Sequence, residues 1–79
     1  DLRLPVPELS LAGDRLKNRL KDYRSARNLT QADLAVMAQV SRKTINTIEN
    51  EVFVPSTVLA LKLAHVLDTR VEELFYLED

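Results

Sequence analysis

The stretch Thr30–Asn50, TQADLAVMAQVSRKTINTIEN, carries two short helix signatures only a few residues apart, and its reading decides the fold. Thr30 is a capping residue with Asp33 three positions on, a relative of the capping box, and Leu29 stands where it can staple onto Leu34. These signals predict a helix over 31–38. Ser41 repeats the device, with Val40 set to staple onto Ile45. Two helices joined this tightly cannot lie side by side, so the second projects from the body. Its Ile45 and Ile48 are three apart and point inward. At about 100° per residue, Lys43, Asn46, Thr47 and Asn50 then face outward, with Arg42 and Thr44 on the flanks. This outward set consists of hydrogen-bonding and cationic side chains, and no acid precedes Glu49.

Working outward, Asp14 is the expected cap of a first helix running to about Arg27, with Leu16, Leu20 and Tyr23 on its buried stripe. Asn28 ends that helix, because asparagine tolerates the left-handed conformation that closes one. On the other side, Pro55 stops the preceding segment and Ser56 caps a fourth helix over 57–67, with Leu59, Leu63, Val66 and Leu67 as its apolar face. Thr69 and Glu72 read as a capping box for a short last helix holding Val71, Leu74 and Phe75. No strand-length alternation is visible, so the expected fold is all-α with five helices. Residues 1–13, DLRLPVPELSLAG, hold a PVP triplet that excludes a helix. They are expected to form an extended or disordered arm ahead of one domain over 14–79.

With 79 residues, no cysteine and one glycine, the chain suits a single domain with a modest core, held by helix packing rather than disulfides. The absence of cysteine is compatible with a reducing cytoplasm. No apolar run approaches the roughly 20 residues of a membrane span. The net charge of −1 hides an asymmetry: eight cations face three acids over 14–43, whereas two cations face seven acids over 44–79. Such a dipole orients one side of a small domain toward phosphate, or simply solvates a helix. Neither a phosphate-binding loop, a nucleophile elbow nor a zinc-binding histidine pair is present, so the sequence offers no parts for an enzyme, a metal or a cofactor. His65 stands alone and reads as a solvated helix position.

Taken together, L-T-Q-x-x-L-A at Leu29–Ala35, V-S-x-x-T-I at Val40–Ile45, I-E-N at Ile48–Asn50, P-S at Pro55–Ser56, K-L-A at Lys62–Ala64 and E-L-F at Glu73–Phe75 resemble the lambda-repressor-like helix-turn-helix family of Cro and phage repressors. The resemblance implies a sequence-specific double-stranded DNA-binding transcriptional regulator, a repressor rather than an activator, acting as a homodimer. It implies that Gln31 bonds a phosphate, that Ser41, Lys43, Thr44, Asn46 and Thr47 face the major groove, and that Arg42 lies at its edge. It also implies a structural ion pair between Arg24 and Glu49. Phe75, Tyr76 and Leu77, with the proline-containing arm, are candidate dimer surfaces, core packing being the favoured reading of Phe75.

The chain departs from the family where glycine is usual and Gln39, Glu51 and Asp68 stand instead. If the backbone keeps positive φ there, each costs about 1 kcal/mol, less for Asp68. The loop Glu51–Val54 is acidic and apolar where relatives often carry lysine or asparagine, which leaves Phe53 exposed and offers no cation for one phosphate contact. A rival reading follows from the low pI: a protein-binding, antitoxin-like module whose acidic C-terminal half grips a basic partner while DNA binding is weak.

Overall fold

Four helix ends shape the molecule, and all four use one backbone device. The computed structural model describes residues 15–78, in the order β1 (Arg15–Asn18), α1 (Leu20–Ala26), α2 (Gln31–Ala38), α3 (Arg42–Glu49), α4 (Thr57–Val66), α5 (Val71–Leu74) and β2 (Phe75–Glu78). Just beyond α1 to α4 stand Asn28, Gln39, Glu51 and Asp68, with φ of 58°, 62°, 63° and 52°. At each, the left-handed residue donates its N–H to the carbonyl three back, and the next residue donates five back. The first two cases are Asn28 to Ser25 (3.0 Å) with Leu29 to Arg24 (3.1 Å), and Gln39 to Val36 (3.2 Å) with Val40 to Ala35 (2.9 Å). The others are Glu51 to Ile48 (3.0 Å) with Val52 to Thr47 (2.9 Å), and Asp68 to His65 (3.1 Å) with Thr69 to Ala64 (2.9 Å). The paired bonds satisfy carbonyls that a helix end leaves open. The backbone therefore does keep positive φ at Gln39, Glu51 and Asp68, without a glycine at any of them.

Helix starts follow the sequence at the centre of the chain. Thr30 Oγ1 accepts from the Asp33 N–H at 2.9 Å and Asp33 Oδ2 accepts from the Thr30 N–H at 3.0 Å, so the capping box is complete. Those bonds from Thr30, the backbone one first, hold the Asp33 carboxyl below its usual range. Ser41 Oγ accepts from Thr44 N–H and Ser56 Oγ from Leu59 N–H, both at 3.1 Å, which puts the starts of α3 and α4 where expected. Caps of this kind are each worth about 1 kcal/mol.

Both ends of the described chain correct the all-α expectation. Residues 15–18 are not a first helical turn but a strand, paired antiparallel with β2 so that Arg15 lies opposite Glu78, Leu16 opposite Leu77, Lys17 opposite Tyr76 and Asn18 opposite Phe75. Four residues are too few to display alternation, and Leu16 to Leu20 fits helical spacing as readily as a strand followed by a helix. The helix starts at Leu20, where Asn18 Oδ1 accepts the Leu20 N–H at 3.1 Å; Asp14 and the N-terminal arm lie outside the described residues. The Thr69–Glu72 box also does not form. Arg70 occupies the cap position of α5 without a side-chain bond, and its guanidinium pairs with Glu72 at 3.2 Å.

The core sits between α2, α3 and α4, closed from below by α1 and α5. Leu20, Leu34, Ile45, Ile48, Leu63, Leu67 and Leu74 are fully buried, and Ala35 and Ala38 supply small contacts where α2 crosses α3. Phe75 is buried at the start of β2, not at the end of a helix, and Leu59 and Val66 cover the core edge.

Candidate nucleic-acid interface

The projecting corner is fixed by one ion pair and what hangs from it. Arg24 on α1 grips Glu49 at the end of α3 with two bonds, Nε to Oε2 at 2.7 Å and Nη2 to Oε1 at 3.1 Å. The third edge of the guanidinium donates to the Leu29 carbonyl at 2.8 Å, in the turn just before the α2 cap. Arg24 thus joins three elements. Its side chain is 12% exposed and that of Glu49 5%, so the pair is largely desolvated. The bond to Glu49 raises the Arg24 pKa further, and the guanidinium stays charged.

From this pair a string of side-chain hydrogen bonds runs to the surface. Gln31 Nε2 donates to Glu49 Oε1 at 3.1 Å, Asn46 Nδ2 donates to Gln31 Oε1 at 3.4 Å, and Asn50 Nδ2 donates to Asn46 Oδ1 at 3.2 Å. Gln31 therefore spends its amide on the α2–α3 corner while its backbone N–H remains at the open start of α2. Asn50 was placed on the outward face by helical spacing, but its part in the string depends on contacts that spacing does not show.

The other expected residues divide by how their polar atoms are used. Ser41 Oγ and Thr44 Oγ1 share a hydrogen bond at 3.0 Å. Thr47 Oγ1 donates to the Lys43 and Thr44 carbonyls, each at 3.0 Å, so these hydroxyls are engaged within α3 and its cap. Arg42, Lys43 and Asn46 are exposed and, with Gln31, line one shallow recess at the start of α3. All seven residues picked from the sequence thus gather around the α2–α3 corner. Two cations in the first turn of a helix oppose its macrodipole, whose N-terminal end is positive. No acid stands in that turn, and the one carboxylate of α3 is the internal Glu49.

The loop that follows is held by the opposite arrangement. Glu51, in its left-handed conformation, accepts from Lys17 Nζ at 3.1 Å, tying the loop to β1. This hydrogen bond is the largest cause of the raised Lys17 pKa. Val52, Phe53 and Val54 are exposed beyond it. Asn18 Nδ2 adds a second tie by donating to the Ile48 carbonyl at 2.9 Å, behind α3.

The helix-turn-helix family model matches residues 20–74. The chain belongs to that family, in its Cro and phage-repressor form. It is 47% identical over 64 residues to an uncharacterized HTH-type transcriptional regulator of Methanocaldococcus jannaschii, a match spanning 81% of this chain and 97% of the relative. An uncharacterized HTH-type transcriptional regulator of Bacillus subtilis is 34% identical over 64 residues, with the same two coverages. Among solved structures, the restriction-modification controller protein C.AhdI from Aeromonas hydrophila superimposes with a TM-score of 0.67 at 34% identity, covering 70% of this chain and 83% of the controller. Among the described residues no helix is long and apolar enough to cross a membrane, and no cluster of side chains could hold a metal ion.

Proposed function

We propose that this helix-turn-helix protein is a sequence-specific double-stranded DNA-binding transcriptional regulator that reads the major groove with α3 as a homodimer and acts as a repressor. The observation that carries this reading is the pair Arg42 and Lys43 at the positive end of α3, beside exposed Asn46 and free of any acid. Cations at that helix end are locally unfavourable, and a polyanion turns the same arrangement into a favourable one. Phosphate anchors the corner through Gln31, Ser41 and Arg42 and the open N–H groups of α2, while Lys43, Asn46 and the flanks of Thr44 and Thr47 meet base edges. In a symmetric dimer, two such helices enter grooves about 34 Å apart. Exposed Leu77 and Tyr76 on β2 are the candidate dimer surface. Occupying a promoter asks for no further surface, which favours repression. The resemblance to regulators, including a controller protein, supports the same class. The alternative, a protein-binding module using the acidic half, is not favoured: Glu49 is internal, and Glu51 and Glu72 are already paired with Lys17 and Arg70.

Selection from random duplexes, followed by footprinting and titration, tests the proposal. The expected result is a palindrome bound with an affinity that falls by orders of magnitude between about 50 and 200 mM salt. Lys43→Ala should weaken binding to that operator. Titrations in which no duplex is preferred at low ionic strength refute the reading.

A further inference from the structure

We infer that Glu49 sets the amide orientation of Asn46 through Gln31, and that Asn46 so held reads adenine in the major groove. The inference rests on the reading of α3 as the groove-facing helix. Its starting point is a property of the chemistry at the buried end of the string. A carboxylate can only accept hydrogen bonds and a guanidinium can only donate them. With Arg24 and Glu49 locked together, the Gln31 amide has one way to complete the contact: its NH₂ turns toward Glu49 Oε1, which leaves its carbonyl oxygen facing α3. That oxygen in turn accepts from Asn46 Nδ2, so the Asn46 carbonyl oxygen faces the far side, where Asn50 donates to it. The reverse orientation would set the Gln31 carbonyl oxygen against the Glu49 carboxylate. Each amide in the series is therefore polarised by the one before it.

Asn46 is exposed, and its hydrogen-bonding capacity is only half used. An asparagine amide has two N–H groups and an oxygen with two lone pairs; one of each is engaged, and one of each remains. The groups still available are one donor and one acceptor on the same planar amide. In the major groove, adenine presents an acceptor at N7 beside a donor at N6, whereas guanine presents two acceptors at N7 and O6. The remaining pair on Asn46 matches adenine and leaves one mismatched partner against guanine. Guanine is matched by all-donor side chains, a role open to neighbouring Lys43. Gln31 and Glu49 are thus positioning residues for a base contact that neither makes.

Operators obtained by selection are compared with duplexes differing from them at single base pairs. Asn46→Ala locates the contact, as the one position whose base preference it flattens. Wild-type protein is expected to prefer A·T there by roughly five- to 150-fold, the range of a good bidentate base contact. Gln31→Met, which keeps the length of the side chain but removes its amide, should cut that preference to within about threefold. Loss of a phosphate contact weakens all duplexes alike and leaves the ratio unmoved, so the ratio separates positioning from anchoring. Because both duplexes are measured against the same folded protein, a loss of stability does not mimic the effect. The inference is overturned if the flattened position is not A·T, if Asn46→Ala flattens none, or if Gln31→Met retains the full preference. In those three outcomes the operator is still selected and the reading of α3 stands; wild-type protein that selects no operator at all removes both.

Discussion

The Glu49 carboxylate is almost fully withdrawn from solvent, and two partners meet it directly, the Arg24 guanidinium and the Gln31 amide. Removing one member of a buried pair leaves the other desolvated and unpaired, a cost of about 3 to 5 kcal/mol against at most about 1 for an exposed pair. Glu49→Ala is therefore expected to lose about 3 to 5 kcal/mol, measured by urea denaturation with circular dichroism. A loss of a few tenths would mean that solvent screens the pair despite its 5% and 12% side-chain exposures. The Arg24 and Glu49 positions lie 25 residues apart, and nothing in their spacing links them; only resemblance to a known pattern did so. The Gln31 contact was less legible still. Taken singly it reads as an ordinary helix-start residue and by resemblance as a phosphate ligand, and its turn toward Glu49 depends on the crossing of α2 over α3. Lys17–Glu51 was invisible for the same reason, since the chain direction that brings β1 to the loop is a tertiary result.

At the scale of the element, starts and stops behave differently. Helix starts at Thr30, Ser41 and Ser56 were legible because a side chain bonding to a backbone N–H two or three residues on is a local event, written in adjacent letters. Helix stops are also local, but here their usual letter is missing. Gln39 holds φ 62° and Glu51 φ 63°, conformations that glycine reaches without a Cβ clash. Gln39→Gly is expected to stabilise the domain by about 1 kcal/mol, read as a higher urea midpoint at unchanged slope. Its side-chain bond, accepted from Lys62 Nζ at 3.3 Å, is exposed and offsets little of that gain. An unchanged or lower midpoint would show that the turn carries no Cβ strain. Strands β1 and β2 escaped the sequence reading because a four-residue segment holds only two periods of a strand pattern and about one of a helical pattern. RLKN and FYLE fit a helical turn as well as a strand until their pairing is seen.

At the scale of the molecule, that pairing turns the two ends of the described residues into a clasp behind the projecting corner. The Arg19 N–H donates to the Leu74 carbonyl at 2.8 Å, the Arg19 guanidinium lies 4.1 Å from the centre of the Tyr76 ring, and Asn18 reaches the Ile48 carbonyl at the back of α3. The charge asymmetry read from the sequence is reshaped by this arrangement. Lys17 and Arg24 are neutralised by acids of the C-terminal half, so the cations left to meet an anion include Arg42 and Lys43. Phe75 is the apolar pin of the clasp, 7% exposed between the core and β1, whereas its strand neighbour Leu77 is 61% exposed. Truncating a buried phenylalanine removes its transfer energy and leaves a cavity, together about 3 to 5 kcal/mol. Phe75→Ala is expected to lose that much in denaturant, with early hydrogen exchange across β1 and β2. Leu77→Ala, on the same face of β2 but exposed beyond the edge of the core, should change the stability of the monomer by less than about 0.5 kcal/mol. Equal losses from the two substitutions would mean that Leu77 is covered by another surface at the protein concentration used. A melting temperature that rises with concentration in the parent and not in Leu77→Ala would then assign that cover to a second copy of the chain.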